Sequence, residues 1–236
     1  MTSPSSATTN QTHAQPDRRD VVGVLAADLV GYSELVFEDP QHAISVLRDS
    51  RSVLLEAIAA HDGTILQMPG DFVLAIFDDA KSLLPAALEA QTRLLAHHRS
   101  RRSAGSGHWK IGLEFGEVHL VGGECHGTAI NVAARLQALA APGEVWFTAA
   151  VPRSETAEAE IEIEELGAKQ LKNIRDPVQV FRARLNGYPA RVSKVGRATL
   201  PKFEGRVDKP VLLLEAFRHD GRSRRVGFLG EALIEE

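Results

Sequence analysis

The run VVGVLAAD is apolar or small at every position but its last, and its length predicts a buried strand over 21–27. From 39 to 63 the period changes. Ala43, Val46, Leu47, Val53, Leu54, Ala57 and Ile58 recur at helical spacing, with Asp39–Pro40 as the opening and Gly63 as the close. TILQM and FVLAIF are short β-rich runs divided by PGD, which predicts a hairpin. AKSLLPAALEAQTRLLAHHRS returns to the helical period, and Pro85 predicts an early kink or a start near it. GHWKIGLEFGEVHLVGG reads as a hairpin-like pair of strands, and TAINVAARLQALAAPGE as a helix ended by Pro142 and Gly143. EVWFTAA, EIEIEEL and PVQVFRARL read as later strands.

This order is strand, helix, strand-turn-strand, helix, strand, helix, then more strands. It is the βαββαβ pattern of the ferredoxin-like α+β class with extra C-terminal strands, over residues 20–185. Residues 1–19, rich in Ser, Thr, Gln and Pro, read as a disordered arm. After Leu185 the chain turns polar, basic and Gly/Pro-rich, as linkers are. DKPVLLLEAF and GFLGEALIEE then offer one strand and one helix start, too little to bury a core. Residues 186–236 are therefore expected to be a linker and a partial second domain.

Composition excludes several classes. A net charge of -4 lacks the basic surplus of a nucleic-acid binder. The basic cluster HHRSRR, 97–102, sits at a helix end, where cations complement the dipole. One cysteine, Cys125, allows neither a disulfide framework nor a multi-cysteine metal cage, and fits a reducing, cytoplasmic setting. No apolar run approaches the roughly 18 residues that span a bilayer, and the N-terminus has no secretory h-region.

Asp28 ends the first strand, where a carboxylate is out of place unless it caps a helix or faces something positive. Asp71 sits in the PGD turn. In a βαββαβ sheet the first strand is central and pairs with a strand of that hairpin, so the two acids can meet at one sheet end. Two close carboxylates repel unless a cation lies between them, and hard oxygen ligands with substrate phosphates suit Mg²⁺. Asn131 and Arg135 are four residues apart and share a helix face, an amide and a guanidinium able to clamp a hydroxyl and a phosphoryl oxygen. Taken singly, each of these residues also fits a cap, a turn or a solvated helix.

LAADLVGYSEL, GTILQMPGDFVLAIF, KIGLEFGEVHLVGGECHGTAINVAARLQALAAPGEVWFT and ELGAKQLKNIRDPVQVFRARL follow in order. Together they resemble the catalytic domain of the class III adenylate/guanylate cyclases. The resemblance is closest to bacterial members whose cyclase domain is followed by a TolB-like or tetratricopeptide region, which often carry a segment like DKPVLLLEAF. It implies a head-to-tail homodimer with active sites at its interface. It implies that Asp28 and Asp71, with the backbone carbonyl of Leu29, hold two Mg²⁺ or Mn²⁺ ions. Arg135 from the partner chain would stabilise charge on the α-phosphoryl oxygens, and Asn131 would orient the ribose. Lys172 and the amides of Gly31 and Tyr32 would meet phosphate oxygens. The product would be a 3′,5′-cyclic nucleotide, with release of pyrophosphate.

Some positions depart from the family pattern. Its purine-selecting Lys and Asp are replaced by Gln67 and Glu124, and the Glu/Cys pair of GTP-specific members is missing too. The base is therefore open, with ATP the default. Glu114 and Phe115 stand where His and a small residue are frequent, and His126 where an aromatic is usual. Two alternatives follow: a catalytically silent cyclase-homology module that dimerises or binds nucleotide, and a pyrimidine nucleotide cyclase.

Overall fold

The computed structural model describes residues 18–101, 107–121, 124–153, 161–186 and 188. Residues 1–17 of the segment expected as an arm (1–19), and nearly all of the expected linker and second domain, lie outside the described residues.

The first strand, β1 (Arg18–Leu29), starts earlier than the apolar run because its polar first residues still pair, Arg18 to Asp20 lying opposite Leu120 to Val118. Residues 18 and 19 thus belong to the sheet rather than to an arm. A corner at Gly31, in the left-handed region at φ 71, opens a short helix α1 (Tyr32–Glu38) that hydrophobic period alone did not separate. The helix α2 (Pro40–Ala60) begins as expected. Asp39 caps it by accepting from the backbone N–H groups of Gln41 and His42 at 3.1 and 3.0 Å. β2 (Thr64–Gln67) and β3 (Phe72–Phe77) form the hairpin. α3 (Ala80–Arg101) starts near Pro85, shortly before it, and continues through it.

The stretch read as two strands is one, β4 (Trp109–Val121), followed by β5 (Glu124–His126) folding back on its end. No turn divides it: Gly112 lies opposite Ala26 and Gly116 opposite Val22 within the ladder. They serve the next helix, α4 (Thr128–Leu139). A Cβ on Gly112 would lie 2.1 Å from the Ala133 carbonyl oxygen and 2.3 Å from the Gln137 nitrogen, so only glycine lets α4 sit this close. β6 (Glu144–Thr148), β7 (Ile161–Lys169) and β8 (Val178–Leu185) complete the elements.

The sheet order is β2-β3-β1-β4-β6-β8-β7, with β5 paired to β4. β4 and β6 are parallel, and the other neighbouring pairs are antiparallel. Its first four strands have the expected ferredoxin-like order. On one face, Leu25, Ala27 and Leu29 pack with Leu54 and Ile58 of α2 and Leu83 and Leu94 of α3. On the other, Val22, Val24 and Ala26 pack with Ala129 and Ala133 of α4. Both faces of β1 are covered, so its sequence runs apolar without alternation. Asp28 continues the Val22–Val24–Ala26 register and so belongs to the α4 face. Among the described residues no helix is long and apolar enough to cross a membrane.

Candidate functional site

The two aspartates meet where β1 ends. Asp28 lies opposite Phe72, the residue after Asp71, and the Leu29 N–H donates to the Asp71 backbone carbonyl at 3.3 Å. The next amide, Val30, donates to the His108 carbonyl at 2.8 Å, which anchors the β1–α1 corner to the start of β4. Both aspartates are half-buried, and Leu29 is buried. Burial pushes the Asp28 carboxyl above its ordinary range, and the neighbouring negative charge of Asp71 pushes it further. The β1–β3 register thus puts both aspartates at one sheet end.

Two residues that sequence reasoning missed hold Asp28. Lys110, its cross-strand partner on β4, places its ammonium 3.5 Å from Oδ2. Gln137, buried on α4, lies beside the same carboxylate. Both oppose the upward shift. The signal for Lys110 is register: it follows only once β1 and β4 are aligned residue by residue. The signal for Gln137 is the glycine at 112, which seats that turn of α4 against the sheet.

The donor set suits a hard divalent cation only in part. Among the described residues no group of three or more His, Cys, Asp or Glu side chains could enclose a metal ion. Two carboxylates at a half-open sheet end are what Mg²⁺ uses when substrate phosphates and water supply the rest.

The amide–guanidinium pair is also on one helix, facing outward. Asn131 is exposed and Arg135 half-exposed, while Val132, Ala133, Leu136 and Gln137 are buried. Arg135 and Gln137 are two residues apart, about 200° around the helix. The face that clamps is therefore turned away from the face that touches Asp28.

The other candidates are dispersed. Gln67 ends β2 and is exposed, opposite Leu74 after a register shift. Glu124 opens β5 opposite Val121. Lys172 is exposed in the turn between β7 and β8. Gly31 caps α1, and Tyr32 packs its ring against the main core. Beside α4 a cleft of about 430 Å³ runs to that same turn, lined by Glu114, Thr128, Val132, Ile174, Arg175 and Asp176 among others. Burial pushes the Glu114 carboxyl up to about 7, against hydrogen bonds from Thr148 and from the Phe115 N–H.

No family model matches the chain. Over 165 residues, 70% of its length, the chain is 29% identical to a protein of Rhizobium meliloti named putative adenylate cyclase 3, and covers 28% of it. It is 30% identical over 125 residues, 52% of its length, to an adenylate cyclase of Streptomyces coelicolor, covering 31% of that protein. It thus spans less than a third of these curated relatives. Among solved structures, an adenylate/guanylate cyclase/hydrolase from Silicibacter pomeroyi is 30% identical with a TM-score of 0.65, covering 72% of this chain and 99% of that one. The adenylyl cyclase CyaB from P. aeruginosa shares the fold at 18% identity and a TM-score of 0.62, covering 72% and 96% of the two chains. With its sheet order, paired aspartates and a 30%-identical relative covered almost end to end, the chain belongs to the class III adenylate/guanylate cyclase family.

Proposed function

We propose that the protein is a nucleotidyl cyclase that converts a nucleoside triphosphate, ATP by default, to its 3′,5′-cyclic nucleotide and pyrophosphate at the interface of a homodimer. The observation that carries this reading is the pairing of Asp28 and Asp71 at one sheet end, with Asn131 and Arg135 facing outward on α4. A chain whose clamp faces away from its own carboxylates needs a second copy to bring the two together.

Asp28 and Asp71, with the Leu29 carbonyl, would hold a pair of Mg²⁺ or Mn²⁺ ions. When bound, such ions neutralise the triphosphate and acidify the ribose 3′-hydroxyl. The 3′-oxygen forms a bond to the α-phosphorus, the bond from that phosphorus to the bridging oxygen breaks, the hydroxyl proton is lost and pyrophosphate leaves. Arg135 of one copy stabilises the charge that develops on the α-phosphoryl oxygens, worth on the order of 10²-fold or more in rate. Asn131 holds the ribose so that the 3′-oxygen is aligned for attack. Lys172, together with the Gly31 and Tyr32 amides, contacts the outer phosphates. Gln67 and Glu124 contact the base, Gln67 as donor and acceptor, Glu124 as acceptor. We assign residues 20–185 to the catalytic domain, residues 186–236 to a linker and the start of another unit, and the protein to the cytoplasm, where triphosphates are supplied.

The test is incubation of the purified protein with Mn²⁺ and each of ATP, GTP, CTP and UTP, followed by separation of products. A cyclic nucleotide from one of them, with pyrophosphate, is expected. A cyclic pyrimidine product would select the pyrimidine reading. No product from any of the four, with dimers intact, would select the silent module.

A further inference from the structure

The turn that carries Asp71 is gripped from two sides. Within it, the Phe72 N–H donates to the Pro69 carbonyl at 3.0 Å, and Gly70 sits in the left-handed region at φ 56. Nothing lies within 4 Å of where a Gly70 Cβ would stand, so glycine is there for its backbone angle and not for space. One grip comes from β1, where the Leu29 N–H donates to the Asp71 carbonyl at 3.3 Å. The other comes from the middle of α2. Arg51, half-buried, donates from a terminal guanidinium nitrogen to the Gly70 carbonyl. Its Nε is buried and has no acceptor among the described residues.

The two gripped carbonyls flank a single residue. The Gly70 carbonyl belongs to the peptide plane before Asp71, and the Asp71 carbonyl to the plane after it. Peptides are planar, so φ and ψ are the only soft backbone angles of a residue. Pinning both planes fixes both angles, and with them the direction of the Asp71 Cα–Cβ bond. The carboxylate then keeps only its own side-chain rotations. Arginine suits the task, because its charge is permanent and a charged donor bonds a carbonyl more strongly than a neutral one.

We propose that Arg51 is a positioning residue for Asp71, aiming its carboxylate at the proposed cation site by holding the Gly70 carbonyl. This rests on the metal-dependent cyclase reading. Without Arg51 the Gly70–Asp71 peptide can rotate, and the carboxylate samples directions away from the sheet end it shares with Asp28. Loss of such an outer support costs about 10- to 100-fold in metal affinity. Charge alone predicts the opposite sign, since removing a positive group near two carboxylates favours a cation. The sign of the change separates positioning from electrostatics.

The test measures Mn²⁺ binding by titration calorimetry without nucleotide, and the Mn²⁺ concentration for half-maximal turnover, in wild type, Arg51→Met and Arg48→Met. Arg48 lies about one turn earlier on α2 and bonds Asp49 instead, so its loss removes the same charge and leaves the turn alone. Circular dichroism and dimer mass verify each fold, and Arg51→Leu replaces Arg51→Met if the latter does not fold. Arg51→Met is expected to bind Mn²⁺ about 10- to 100-fold more weakly and to need correspondingly more for turnover, while Arg48→Met matches wild type. In an Asp71→Asn background, where the carboxylate to be aimed is gone, Arg51→Met should add no further loss. Unchanged or tighter binding in folded Arg51→Met overturns the inference. So does an equal loss in Arg48→Met, or a full additional loss on top of Asp71→Asn. If wild type neither binds Mn²⁺ nor forms a cyclic nucleotide, the cyclase reading fails and takes the inference with it. A wild type that does both, with Arg51→Met unaffected, overturns the inference alone.

Discussion

The Lys110 ammonium lies 3.5 Å from Oδ2 of Asp28, across the β1–β4 ladder. A cation already occupies the approach to the carboxylate that the proposed chemistry assigns to metal ions. Both side chains are less than a third exposed, so water screens the pair only partly. A divalent ion held by Asp28, as proposed, would compete with this ammonium for the carboxylate's charge.

Lys110→Met should therefore tighten Mn²⁺ binding several-fold, by removing a competitor whose partly exposed ion pair is worth about 1 kcal/mol. Titration calorimetry without nucleotide reads this directly. Unchanged or weaker affinity would make Lys110 a structural partner of the carboxylate and nothing more.

Glu114 gives a pH dependence with a defined sign. Its folded value is about 7 against an ordinary 4.5, so the folded protein holds the proton more tightly than the unfolded chain does. Its contribution to stability is fully present below about 4.5 and is lost as pH rises through about 7, a change of at most roughly 3 kcal/mol. Glu114→Gln keeps the buried group neutral. Thermal melts from pH 5 to pH 8 should show wild type losing stability relative to the variant as pH rises. Parallel curves would contradict the assignment.

Gly112→Ala tests the seating of α4. The added methyl would lie 2.1 Å from the Ala133 carbonyl oxygen, which is backbone and cannot swing aside. The helix must lift, at a cost of about 1–3 kcal/mol for overpacking. Because the same helix carries Asn131, Arg135 and Gln137, activity should fall further than stability does. A variant with wild-type melting temperature and wild-type turnover would show that close approach at this turn is dispensable.

Much of this fold was readable in the sequence because periodicity and capping agree. Asp39–Pro40 starts α2 by the mechanism its residues suggest, and PGD makes the β2–β3 turn. The misreadings share a cause. GHWKIGLEFGEVHLVGG read as two strands because sequence cannot distinguish a glycine needed for φ from one needed for space. The polar start of β1 belongs to the sheet because it pairs with β4. At the candidate site, Asp28 stood out as an acid closing an apolar run. Lys110 and Gln137 are ordinary residues, one in a strand and one in a helix, and only register and helix seating bring them to that acid. The motifs carried the groups proposed for chemistry, while the groups that hold them required the fold.

The most direct measurement is complementation. Asp28→Ala is expected to abolish cyclic-nucleotide formation by removing a proposed metal carboxylate, and Arg135→Ala to slow it by on the order of 10²-fold or more by removing charge stabilisation from the opposite chain. Co-expressing and co-purifying the two variants as mixed dimers, then assaying with Mn²⁺ and the preferred triphosphate, should restore activity, since one site per mixed dimer has both groups. Mixed dimers that form but remain as inactive as the parents would contradict an active site shared between two chains.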